Sequence, residues 1–268
     1  MNRPLLRWAG SKRSISSILA AVVPNNIKLY IEPFCGSAAL YYVIQPDHAV
    51  LNDSNKRLIN FYKNFRTFAP EMYSYICAIR SDSETYYDIR NRFNDGPLDF
   101  QNACYFYFLN RNCFNGLYRT TKLGRFNVPF SSSRVGRIHT EEEFLAIREK
   151  LVHVEFTDFD FEDSISMTVS KDTFYFIDPP YVVNYREPFA EYDRTTFSPL
   201  DIYRLLGCLQ KIDSSGATFL LTYDHRINQE LFLQHGWQVS DIQVRRHISG
   251  FAGYRRYAQE IIVSNYQR

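Results

Sequence analysis

The sequence predicts an α/β fold built on a largely parallel sheet and interrupted by an inserted helical module. Three observations carry that reading. The short apolar runs Leu29-Tyr30-Ile31, Ala49-Val50-Leu51 and Phe174-Tyr175-Phe176-Ile177 are continuous rather than alternating, as strands covered on both faces are. Each stops at an acidic residue, in Glu32-Pro33, Asn52-Asp53 and Asp178-Pro179-Pro180. Between Arg57 and about Phe144 the texture changes to helical segments dense in Tyr, Phe, Asn and Arg, with no such run. The expected division is therefore residues 1–56 with 145–268 in one discontinuous sheet domain, and 57–144 in the insert.

The remaining elements follow in order. Leu200 to Ile212 has helical spacing and stops at Ser214-Ser215-Gly216; a strand, Thr218 to Tyr223, succeeds it. Gln238 to Ile248 and Tyr257 to Val263 bracket a loop and predict a terminal antiparallel pair. In an open α/β sheet, ligands bind beyond the carboxyl ends of the strands, which is where the three acids would converge.

Composition narrows the function classes. Lys plus Arg at 31 against Asp plus Glu at 29 gives a formal charge of +2, so a polyanionic partner would have to meet a local basic patch. Residues 111–140 supply one: Arg111, Arg119, Lys122, Arg125, Arg134 and Arg137, with no Asp or Glu among them. The five cysteines show no C-x-x-C pair and the six histidines no metal spacing, so neither a disulfide frame nor a metal is expected, and a reducing cytoplasm fits. The longest aliphatic run, Ile18 to Val23, is far too short for a membrane span. The 20 Tyr and 22 Phe exceed what a core of this size needs; they predict a surface that stacks on flat ligands, or else a Tyr-rich core.

Glu32-Pro33-Phe34-Cys35-Gly36-Ser37-Ala38 lies where a first strand would turn into a helix near Ser37, and Gly36 would let the backbone pass close to a ligand. A plain strand-to-helix turn reads the same way. Asp53, at the end of the next strand, is placed to accept from ribose hydroxyls, although alone it reads as a turn residue. Together they point to a nucleoside-containing cofactor. Asp178-Pro179-Pro180-Tyr181 is sharper: two prolines make the turn rigid and leave the Asp178 carboxylate and the Pro179 carbonyl as acceptors. Two acceptors aimed at the N–H bonds of an aromatic amine would free its lone pair, with Tyr181 stacking on the ring.

Arg7-Trp8-Ala9-Gly10-Ser11-Lys12 combines an aromatic face with a cation that could reach a carboxylate; its bland reading is solvated surface. Asn110 to Arg119 leads into Thr120 to Val128, read as a β-hairpin whose tip, Lys122 to Arg125, is cationic. Such a ribbon fits a DNA groove, and Asn115, Leu117 and Tyr118 could reach or wedge bases. Arg245, Arg246, Arg255 and Arg256 flank Ser249-Gly250-Phe251-Ala252-Gly253 and could bind phosphates.

These motifs, in this order, resemble the Dam-type DNA adenine methyltransferases through nearly the whole chain: Arg7 to Lys12, Glu32 to Gly36, Asn52 to Asn55, Asn110 through Phe130, Asp178 to Tyr181, and Arg245 to Glu260. The resemblance implies a Rossmann-like methyltransferase sheet in a catalytic domain, with the insert as a DNA-recognition domain. It implies S-adenosyl-L-methionine as donor, with S-adenosyl-L-homocysteine as product, and a flipped adenine held by Asp178, Pro179 and Tyr181. Cofactor contacts are then expected from Trp8, Lys12, Glu32, Phe34, Gly36, Asp53 and Asp178. Contacts to double-stranded DNA are expected from Arg7, Arg111, Asn115, Leu117, Tyr118, Arg119, Lys122, Arg125, Arg134, Arg137, Arg246 and Arg255. A monomer or weak dimer working on DNA in the cytoplasm is the implied state. The sequence departs from the family at Gly10-Ser11, at Cys35-Gly36-Ser37, at Thr222-Tyr223, and at Ser131-Ser132-Ser133, where well-known members carry a guanine-reading arginine. GATC or a related short site is the expected target. Methylation of RNA or of a protein glutamine is the enzymatic alternative and a catalytically silent DNA-binding module the other; a nicotinamide dehydrogenase fits least.

Overall fold

The computed structural model describes residues 5–132, 135–167, 170–181, 197–245 and 257–268. Its centre is a seven-stranded sheet of β1 (Leu29–Glu32), β2 (Ala49–Asn52), β3 (Val154–Thr157), β4 (Thr173–Ile177), β5 (Thr218–Asp224), β6 (Gln238–Arg245) and β7 (Tyr257–Ser264). The order across the sheet is β3-β2-β1-β4-β5-β7-β6. β1 pairs in parallel with β2 and with β4, and β4 in parallel with β5. The connections leave β1 toward β2 and later return to β4 on its other side, which makes the β1/β4 boundary the switch point where such sheets bind ligands. β7 runs antiparallel between β5 and β6, so the last strand does not lie at the edge. β3 is the strand the apolar-run criterion misses, because exposed Glu155 breaks the run between Val154 and Phe156.

The helices are α1 (Ser16–Ala20), α2 (Tyr41–Ile44), α3 (Lys56–Cys77), α4 (Ser83–Asp95), α5 (Phe100–Asn112), α6 (Glu141–Glu149), α7 (Phe161–Ser166), α8 (Pro199–Ser214) and α9 (Glu230–Leu233). None is long and apolar enough to cross a membrane. Their starts are chemically specified. Asn55 accepts from the Arg57 and Leu58 amides, Asp82 from Thr85 and Asp99 from Asn102, while Thr140 with Glu143 and Ser198 with Asp201 form capping boxes. The predicted helix near Ser37 begins instead at Tyr41 and lasts four residues. The turn ahead of it winds through positive φ at Gly36 (46°) and Ala38 (53°), which delays helix entry.

The described residues divide into two compact units, one of residues 5–11 with Asn55–Phe156, the other of Lys12–Ser54 with residues 157–181 and 197–268. The sheet unit packs Ile31, Tyr175, Ile177, Phe219, Leu221, Ile261 and Val263 against Leu205, Leu209 and Ile212 of α8. Each such buried side chain contributes roughly 1.5–3 kcal/mol. In the helical unit, α5 is buried on almost every face, and Phe61, Phe65, Phe106, Tyr107 and Phe144 pack ring on ring around it. The twelve largest fully buried side chains of the described residues are all Tyr or Phe. The aromatic surplus is therefore mostly core.

The expected division placed residues 1–56 and 145–268 with the sheet, but 55–56 and 145–156 cluster with the helical unit. Residues 5–11 also cluster with the helical unit, where Arg7 and Asn110 exchange two hydrogen bonds (2.9 and 2.7 Å) and Trp8 stacks on Tyr118 and Phe106. Local sequence spacing does not reveal such long-range pairings.

Candidate active site

The carboxyl ends of β1, β2 and β3 are laced together by one side chain. Buried Asn52, the last residue of β2, donates from Nδ2 to the Pro33 carbonyl (2.9 Å) and the Phe159 carbonyl (3.1 Å). Its Oδ1 accepts from Thr157 Oγ1 (2.8 Å) and the Phe159 amide (2.9 Å). All four hydrogen-bonding positions of the amide are used, so it fixes the loops after β1 and β3 against each other. The Cys35 amide then donates to the Asn52 carbonyl (2.7 Å), and the Gly36 amide to Asp53 Oδ2 (3.0 Å). Gly36 and Asp53 are brought together, as a nucleoside-binding reading requires. Phe34, half-buried, stacks on Phe161 at 5.2 Å and meets Phe197 edge-on at 6.1 Å, which leaves an aromatic wall beside this loop.

Glu32 lies beneath that loop. Its Oε1 accepts from the Tyr30 hydroxyl and from the Tyr41 amide (3.1 Å). Burial pushes its pKa up to about 8; the two hydrogen bonds oppose the rise and Asp178 adds to it. Glu32 is thus neutral at pH 7 and serves as a buried prop for the strand exit. Cys35 is buried too, and desolvation holds its thiol well above the ordinary range, which makes it inert as a nucleophile.

At the end of β4, Asp178 is anchored from two sides. Lys12 Nζ approaches its Oδ1 at 2.8 Å, and Thr222 Oγ1 on β5 donates to the same oxygen at 2.7 Å. Oδ2 receives no hydrogen bond among the described residues. Lys12, only 4% exposed, also faces Glu260 Oε2 on β7 at 3.5 Å and donates to the Tyr181 hydroxyl at 3.1 Å. Desolvation alone would lower the Lys12 pKa; the two carboxylates outweigh it, and the net direction is upward, so the side chain stays charged. The Tyr181 ring lies below that ammonium, with Nζ 5.3 Å from its centroid, and meets Tyr223 edge-on at 5.3 Å. Pro179 is buried and Pro180 exposed, so the turn is seated by one ring of the pair. A carboxylate with one oxygen fixed and the other accepting nothing from the described residues can accept from an N–H without having to be reoriented.

Of the residues expected to be catalytic or to bind the cofactor, Lys12, Glu32, Phe34, Gly36, Asp53, Asp178, Pro179 and Tyr181 lie in the sheet unit. Lys12 was expected to reach a ligand carboxylate; the carboxylates it meets are Asp178 and Glu260. Trp8 lies in the helical unit, against Tyr118 and Phe106. Thr222, Glu260 and Asn52 were missed. The register Thr222↔Ile262 and Asp224↔Glu260 shows why: Glu260 reaches the site only because β7 inserts beside β5.

The helical unit holds the basic residues. Phe114–Gly116 forms a single tight turn, with Asn115 at φ 54° and Gly116 at φ 66°. A side chain on Gly116 would collide with Arg7, so glycine is required there. The hairpin is a short turn closed by Thr121 and Arg125, whose backbone bond is 2.8 Å, with an isolated bridge Thr120↔Phe126. Lys122 is exposed at its tip, and Leu123 is 82% exposed. Arg119 donates to Asn127 (2.8 Å), Arg125 pairs with Asp95 (2.7 Å) and Arg137 with Glu143 (2.8 Å). The acid-free stretch is therefore partly neutralised by acids from α4 and α6. Arg111 departs from the surface expectation: it is 7% exposed, donates to the Leu5 carbonyl and lies over the Tyr107 ring. Tyr118 is held between Trp8, Phe106 and Phe126, which limits it as a wedge; Leu117 and Asn115 are half-buried. Arg134, Arg246 and Arg255 lie outside the described residues.

Comparison with known proteins identifies the family of the chain. The model of the D12 class N6 adenine-specific DNA methyltransferases matches residues 8–248. The chain is 29% identical to the type II methyltransferase M.MjaIII of Methanocaldococcus jannaschii, over 98% of this chain and 99% of that protein. It is 30% identical to the retron Ec67 DNA adenine methylase of Escherichia coli, over 96% and 90% of the two chains. With the DNA adenine methylase of Vibrio cholerae the identity is 28%, over 97% and 95%.

Proposed function

The chain belongs to the D12 class N6 adenine-specific DNA methyltransferases, and we propose that it transfers the methyl group of S-adenosyl-L-methionine to the N6 amine of an adenine flipped out of duplex DNA. The target we propose is GATC or a related short site. The observation that carries the reading is the anchored Asp178, with Lys12 and Thr222 on one oxygen and no donor among the described residues on the other. That oxygen accepts one N–H of the amine and the Pro179 carbonyl the other, which turns the nitrogen lone pair toward the methyl carbon. When bound, the cofactor supplies an electrophilic methyl on a sulfonium. The residues present fit it: the Gly36–Asp53 turn and the Phe34 wall suit a nucleoside, and a buried site with two carboxylates to one ammonium suits a cation.

As the carbon–nitrogen bond forms, positive charge appears on the amine, and Asp178 stabilises it until the extra proton is lost. Tyr181, steadied by Lys12 and Tyr223, offers a face for the purine and offsets part of the few kcal/mol that flipping costs. Residues 57–144 are proposed as the DNA-recognition region, with Lys122 and Leu123 at the projecting turn and Arg7, Arg119, Arg125 and Arg137 around it. The test is transfer from tritiated donor to matched duplex DNA and RNA, followed by nucleoside analysis. Label in N6-methyladenine of DNA, abolished by Asp178→Ala, is the expected result. Label in RNA alone, or methylation that survives Asp178→Ala, would overturn the assignment.

A further inference from the structure

The anchoring of Asp178 needs one cation, yet two carboxylates converge on it. Lys12 lies 2.8 Å from Asp178 and 3.5 Å from Glu260, and Lys12 and Glu260 are both about 4% exposed. The longer distance is poor for a hydrogen bond, so Glu260 adds little geometry to the anchor. What it adds is charge. One ammonium and two carboxylates sum to +1 − 1 − 1 = −1 among these three groups. The cross-strand neighbour Asp224 differs: Arg226 covers it with bonds of 2.9 and 2.7 Å, so its charge is matched locally. A surplus negative charge at a site this buried is costly unless a bound cation balances it.

We propose that Glu260 is a specificity-determining residue that makes the pocket discriminate between the cationic methyl donor and its neutral thioether product. The inference rests on the reading given under Proposed function. On that reading the methyl carbon would have to approach to roughly 3–3.5 Å of an amine held by Asp178, which would bring the sulfonium within several ångströms of this triad. Before transfer the donor brings the local charge from −1 to zero. Once the methyl group has left, sulfur is neutral, the charge has passed to the amine and then away with its proton, and the triad regains its surplus. Glu260 thereby favours entry of the donor and lowers the affinity for the spent cofactor relative to it.

The test is calorimetric titration of S-adenosyl-L-methionine and S-adenosyl-L-homocysteine into the full chain and its variants. Glu260→Gln keeps shape and removes charge. It should weaken the sulfonium compound by roughly tenfold more than the thioether, the scale of one charge at this range. Glu260→Asp keeps the charge and should keep the wild-type ratio of the two affinities. Asp224→Asn, with its own Arg226 partner, should leave the ratio unaltered. Equal weakening of both compounds by Glu260→Gln would overturn the proposal. So would a Glu260→Asp variant that loses the preference, since geometry rather than charge would then be responsible. A wild-type protein that bound neither compound would instead remove the proposed donor.

Discussion

Replacing Lys12 by Met tests the core of the site. Methionine matches the length of the lysine stem and deletes the ammonium, so Asp178 and Glu260 are left facing each other across a buried gap. Breaking a buried ion pair by removing one partner costs roughly 3–5 kcal/mol. In a domain of this size, each kcal/mol moves the melting temperature by about 2–4 °C, so the expected loss is about 6–20 °C near neutral pH. The pH dependence has a definite sign. In the wild type the Lys12 pKa is raised above its ordinary 10.5, so its stabilisation is fully present below that value and is lost only as pH rises through the higher folded value. Between pH 5 and 9 it is constant. The gap between wild type and variant that Lys12 accounts for should therefore be the same at pH 5, 7 and 9. Differential scanning calorimetry of both proteins near pH 5, 7 and 9 reads this directly. A loss under about 2 °C at pH 7 would refute the claim that Lys12 is the counter-ion of both acids.

Three further outcomes are expected. Thr222→Val removes one of the two anchors of Asp178 Oδ1 and should lower kcat by about tenfold or more, in line with a charge-assisted hydrogen bond, while the KM for the donor changes little; a selective rise in KM would contradict it. Glu32, with its pKa pushed up to about 8 by burial, favours folding when neutral, so wild-type stability should decline from about pH 4.5 to 8 relative to Glu32→Gln, and parallel melting curves across that window would count against a neutral Glu32. Lys122→Ala at the exposed turn should weaken duplex binding and reduce the slope of log affinity against log salt by about one, and an unchanged slope would exclude that turn from the interface.

The strands that lead to Glu32, Asp53 and Asp178 were readable because burial on both faces leaves a compositional mark, and these acids stand where the strands stop. β3 left no such mark, since its exposed Glu155 made it look like loop. Glu260 was hidden for a different reason. It sits in Ala258-Gln259-Glu260-Ile261, an ordinary amphipathic beginning, and only pairing with β5 shows that its side faces Lys12. Charge counting along the chain also misjudged the basic stretch, because Asp95 and Glu143 come from other helices and because Arg111 lies on a helix buried nearly all round. Linear sequence records how many charges a segment has; which neighbours answer them is a tertiary property.

The placement of β7 between β5 and β6 bears on how the molecule matures. Lys12 and Glu260 lie far apart in the sequence, and they meet only once β7 has docked between β5 and β6. A nascent chain could complete the earlier parallel strands while the ion triad still lacked a member. Such far-separated pairings are slow to close, so the ion triad is completed only after the more local pairings of the parallel strands are standing.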